Sequence, residues 1–113
     1  MALDDVAILV VCDDGHMATR LVSRIETAHG DIVYAANTYE ALERLKRYSF
    51  DAAVLVWYDG AAQVAAAVMA KSLPLCILAD EAVTVPSNIS SLTIGDADQL
   101  IPALNVLLKR DAR

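Results

Sequence analysis

Four apolar runs set the rhythm of the chain, and the stretches between them carry apolar residues at helical spacing. The first run, Val6 to Val11, is too short for a helix and too uniformly apolar for a surface strand, which predicts a strand buried on both faces. It stops abruptly at Cys12, Asp13, Asp14 and Gly15. From Gly15 to His29, the positions of Met17, Leu21, Val22 and Ile25 mark one face of an amphipathic helix, with Asp14 to cap its start and Gly30 to stop it. Asp31 to Ala36 reads as a second strand. Thr38 to Tyr48 reads as a second helix, with Glu40 and Glu43 toward its start and an apolar face of Ala41, Leu42 and Leu45. A third strand, Ala52 to Tyr58, lies between Asp51 and Asp59, and Gly60 to Lys71 forms an Ala-rich helix. Pro74 to Ala79 is a fourth strand.

The segment from Glu81 to Ser91 is weaker, because Pro86 sits where a helix interior tolerates it poorly. A weak or missing helix is expected there, then a short fifth strand, Ser91 to Ile94. A closing helix runs through Arg110, capped by Asp96 or Asp98, with Leu100, Ala103, Leu104, Leu107 and Leu108 inward and Pro102 near its start. Strands alternating with helices predict an α/β fold: a parallel sheet covered by helices on both faces. Ligands of such sheets bind past the carboxyl ends of central strands, so Asp13 and Asp14 are the first candidates for the floor of a chemical site.

Composition narrows the classes. At 113 residues, 57% hydrophobic and 21% charged, residues 1–113 are expected to form one globular domain. No apolar run approaches the roughly 20 residues that span a bilayer. Met1 to Asp5 is acidic where a secretory leader would be basic, so a cytoplasmic location is expected. A net charge of −6 disfavours nucleic acid as a partner, which needs a basic surface. Cys12 and Cys76 lack ligand spacing and read as buried thiols, not as metal ligands or a disulfide.

With this order in hand, the segments ILVVCDDGHMATRLV, DIVYAANTYEALERLKRYSFDAAVLV, LPLCILAD and DADQLIPALNVLLKR resemble a response-regulator receiver domain along nearly the whole chain. The resemblance implies a flavodoxin-like (βα)5 three-layer sandwich with strand order 2-1-3-4-5. It also implies that an Asp ending the third strand accepts a phosphoryl group from a partner kinase, with Mg2+ bound. The functional positions depart from that pattern one after another. The acidic pair falls on Cys12 and Asp13, with Asp14 one place later, leaving a vestigial acidic pocket of Asp13 and Asp14. The acceptor position, five residues after Asp51, falls on Val56. The switch Thr or Ser falls on Ala79, and the Lys of the Lys-Pro pair falls on Thr93, followed by Ile94. Magnesium needs several oxygen ligands, so no metal or other cofactor is expected.

The sequence therefore points to a phosphorylation-independent pseudo-receiver, an interaction module and not an enzyme. Its expected partner is a protein of two-component signalling, a histidine kinase or another receiver, including a second copy. The first helix offers Met17, Arg20 and Arg24 as contacts. With only three residues after Arg110, no output domain is expected. The rival is an atypical phosphoacceptor using Asp59 with Mg2+, reached if the third strand runs on to Tyr58; Asp80 is a second rescue candidate, more simply a cap. A flavodoxin-like small-ligand site lacks a Gly-rich phosphate loop. His16 and His29 sit at the helix ends, and Trp57 and Tyr58 read as core or crevice filling.

Overall fold

The computed structural model describes residues 6–79 and 91–108. Asp80, most of the segment from Glu81 to Ser91 and the end of the closing helix at Arg110 lie outside the described residues.

Every apolar run becomes a strand of one parallel sheet. The order along the chain is β1 (Ala7–Val11), α1 (Gly15–Thr27), β2 (Asp31–Ala35), α2 (Thr38–Arg47), β3 (Ala52–Val56), α3 (Ala61–Ala70), β4 (Leu75–Leu78), β5 (Leu92–Ile94) and α4 (Leu100–Leu108). The five strands lie in the order β2-β1-β3-β4-β5, all parallel, as the receiver resemblance implies. Alternation along the strands builds a core on each face, because successive side chains point to opposite sides. Ile8, Val10, Val54 and Leu78 meet Leu21 and Ile25 of α1 and Leu100 and Leu104 of α4. Leu9, Val11, Leu55 and Ile77 meet Ala41 and Leu45 of α2 and Val64, Ala65 and Val68 of α3. The result is the three-layer sandwich.

Local chemistry explains the helix ends. Asp14 caps α1 as expected, its Oδ1 accepting from the His16 N–H at 2.9 Å and the Met17 N–H at 3.4 Å. Asn37, absent from the sequence reading, caps α2: its Oδ1 accepts from the Glu40 N–H at 2.8 Å, while Glu40 reaches back to the Ala36 N–H at 2.9 Å. At the other end of α1 the left-handed residue is His29, with φ 70°, and not Gly30. The Gly30 N–H bonds the Ile25 carbonyl and the His29 N–H bonds the Glu26 carbonyl, each at 2.9 Å, so the stop is a Schellman turn one residue earlier than expected. The end of α3 repeats this, with Ser72 at φ 58°.

The closing segment begins as a 3₁₀ turn, Ala97–Gln99, capped by Asp96, before α4 proper. Pro102 is thus accommodated in the first turn of α4, where an N–H has no helical partner to lose. Asn105 on α4 is 5% exposed, and its side-chain oxygen has no hydrogen-bond partner.

Candidate functional site

The carboxyl ends of β1 and β3 meet at the centre of the sheet. Val11 pairs in register with Leu55, which places Cys12 level with Val56, and Val56 pairs with Leu78 of β4. The backbone ties this level together: the Cys12 N–H bonds the Ala35 carbonyl at 3.1 Å, Trp57 N–H bonds Leu78 at 2.9 Å, and Ala79 N–H bonds Ile94 at 3.1 Å. The floor of the crevice is therefore a thiol, an isopropyl group and alkyl side chains.

Cys12 is fully buried, and its Sγ donates to the Asp14 carbonyl at 3.2 Å. Burial, and secondarily the charges of Asp13 and Asp14, push its pKa up against the lowering effect of that hydrogen bond. The thiol stays protonated at neutral pH. The Tyr34 hydroxyl on β2 donates to the Cys12 carbonyl at 2.6 Å and closes the β2 side of the crevice. Burial, then the neighbouring Cys12 and Glu40, raise the Tyr34 pKa.

Asp13 and Asp14 are both exposed. Asp14 spends its carboxylate on the start of α1, which leaves Asp13 as the acidic group still turned outward at the end of β1. β3 ends at Val56, two residues short of the expected Tyr58. The reason is the turn that follows: the Ala61 N–H bonds the Tyr58 carbonyl at 3.0 Å, and Gly60 takes φ 98°, the left-handed region that favours glycine. Asp59 consequently lies exposed in a turn and not at a strand end. Trp57 and Tyr58 pack half-buried against the α2–α3 core, and the Tyr58 hydroxyl meets the Thr38 Oγ1 at 2.5 Å.

Ala79 is half-buried beside this core, while Thr93 lies exposed on β5. Among the described residues, no three of His, Cys, Asp and Glu come together as a metal-binding set. A hard divalent cation such as Mg2+ requires several oxygen ligands in near-octahedral geometry. Asp13 with a protonated thiol, an alkyl side chain at Val56 and a carboxylate engaged by helix amides does not fit that requirement.

On α1, Met17 is half-buried and packs against the core, Arg20 is exposed, and Arg24 pairs with Asp98 of the 3₁₀ turn, its Nε buried without a partner. The sequence thus groups these three on one helix, but the fold leaves Arg20 freest to meet a partner. On the flank of α1 toward β2, Ala18, Thr19, Val22 and Tyr34 border an open depression of about 490 Å3. Tyr58 is read from sequence as core or crevice filling, but its Thr38 partner and Tyr34 are not, because both contacts join residues distant along the chain. The Asn37 cap was detectable, since Asn followed by Glu three positions later is a helix-start signature. No helix among the described residues is long and apolar enough to cross a membrane.

No family model and no curated protein matches the chain. Solved structures do. The receiver domain of the Francisella response regulator 1452 is 24% identical, with a TM-score of 0.73 over 95% of this chain and 99% of that one. A two-component response regulator from Clostridium difficile is 16% identical, with a TM-score of 0.78 over 96% of this chain and 100% of that one. A de novo designed Rossmann 2x3 protein also matches, at 17% identity and a TM-score of 0.66 over 95% of this chain and 92% of the design. A fold shared with a designed protein carries no function by itself, so function must be argued from the site. What the likenesses establish is architecture: this chain has the flavodoxin-like fold of receiver domains.

Proposed function

We propose that the chain is a pseudo-receiver, a phosphorylation-independent module of two-component-type signalling that acts by binding a protein and not by catalysis. The observation that carries this reading is Val56, which ends β3 level with Cys12 and beside Leu78. Phosphoryl acceptance there would need a carboxylate nucleophile, a divalent cation and a balancing positive charge. The residues at that level are alkyl groups and a protonated thiol.

The partner is a histidine kinase or another receiver. Arg20, exposed on α1, supports that helix as the docking face, with Met17 and Arg24 on the same helix as further contacts. A module of this kind occupies a docking face without taking the phosphoryl group.

The test is intact-mass measurement after incubation with Mg2+ and acetyl phosphate. The expected result is an unmodified mass. A phosphoryl adduct that disappears in Asp59→Ala would overturn the reading in favour of an atypical phosphoacceptor.

A further inference from the structure

The chain carries a net charge of −6, yet the cations among the described residues are unevenly placed. Of the six described Lys and Arg residues, Arg44, Lys46, Arg47 and Lys71 fall where α2 and α3 end, side by side at the amino-terminal edge of the sheet. This edge is opposite the crevice. Arg44 and Arg47 both pair with Glu43, so one carboxylate offsets two guanidinium groups. Lys46 and Lys71 are exposed and have no ion pair among the described residues. The nearby Asp51 carboxylate is turned to the Ala7 N–H at 2.8 Å and stitches β3 to β1.

Helix-end electrostatics accounts for part of this basic cluster, since cations favour a helix carboxyl end. Lys71, which caps the carboxyl end of α3, is favoured in the same way. Helix-end electrostatics leaves the aromatic residues unexplained. Tyr48 is 47% exposed, and its ring lies 6.3 Å from that of Phe50 in a tilted pair. Tyr48, Ser49, Phe50, Lys71 and Leu73 surround a depression of about 280 Å3, enough for one apolar side chain. An aromatic-lined socket with Lys71 in its wall, next to the basic last turn of α2, on a molecule of net negative charge, matches a ligand that is acidic and carries an apolar anchor.

We propose that the corner where α2 and α3 end is a docking site for an acidic protein segment that seats one apolar side chain between Tyr48, Phe50 and Lys71. This surface is separate from both the crevice and α1, so the proposal stands or falls independently of phosphoryl chemistry.

The probe is a capped peptide with one leucine flanked by glutamates, titrated into the isotope-labelled full chain and followed by NMR. Shifts should concentrate at Lys46–Phe50 and Lys71–Leu73. Affinity should fall roughly tenfold or more in the K46E/K71E double variant, the sum of two exposed charge reversals. Tyr48→Ser should weaken binding while leaving the charges in place, and so should a peptide with serine for leucine. Shifts scattered over the surface, or affinity unchanged by K46E/K71E, would overturn the proposal. Equal binding of the leucine and serine peptides would overturn the socket. Concentration-dependent dimerisation abolished by K46E/K71E would make a second copy the occupant and overturn the assignment to a different partner.

Discussion

His29 and Ser72 show how single residues can oppose a local rule and still be held by it. Both adopt left-handed backbone at helix ends, where an L side chain costs about 1–2 kcal/mol and glycine does not. Glycine recovers less than that, because it also enlarges the unfolded ensemble. His29→Gly and Ser72→Gly should each raise stability in urea unfolding by roughly 0.5–1 kcal/mol. No gain in either would mean that the observed turns are not the native ones. Cys76 makes a second prediction. Burial pushes its thiol from about 9.0 up to about 12, so below pH 9 it is protonated in both the native and unfolded chain. As pH rises from 9 toward 12, the unfolded chain loses this proton and the native one keeps it, so stability must fall. Melting temperatures measured across that range should decline less steeply for Cys76→Val. They should not become flat, because Cys12 and Tyr34 are raised in the same sense.

Among elements, strands were the most legible. The uninterrupted apolar runs read as double-sided strands, and β1, β3 and β4 appear where those runs lie, with the less buried β2 and β5 at the edges. Their ends were less legible, for identifiable reasons. Trp57 and Tyr58 continue the apolar pattern of β3, but pairing stops at Val56 because Gly60 turns the chain into α3. Gly30 suggested the stop of α1, whereas the hydrogen bonds place the left-handed residue at His29. Asp14 could be read from sequence either as a cap or as part of an acidic pocket, and the structure gives its carboxylate to α1. Asp14→Ala should therefore lower stability by about 1 kcal/mol, and Asp14→Ser should retain most of it. Asp13→Ala, with no helix amide to release, should change stability by less than about 0.5 kcal/mol. Equal losses at Asp13 and Asp14 would contradict a capping role peculiar to Asp14.

For the whole molecule, the two-faced core and the 2-1-3-4-5 sheet bring the ends of β1, β3 and β4 to one crevice, as in the receiver domains the fold resembles. The alternation of strands and helices makes a parallel sheet readable in the sequence, whereas the order 2-1-3-4-5 comes from the receiver resemblance. The wall contacts were not readable, since Tyr34 over the Cys12 carbonyl and Tyr58 against Thr38 depend on tertiary packing between β2, α2 and the loop after β3. The central claim is that this receiver-shaped crevice, with Val56 at its floor, binds neither Mg2+ nor a phosphoryl group. The most direct measurement is the melting temperature with and without Mg2+ plus beryllofluoride, which imitates a phosphorylated aspartate. A ligand at one hundred times its dissociation constant adds about 2.7 kcal/mol of stability, a shift that a melt resolves easily. The account predicts superimposable melting curves; a rise in melting temperature that requires both Mg2+ and beryllofluoride and is lost in Asp59→Ala would contradict it.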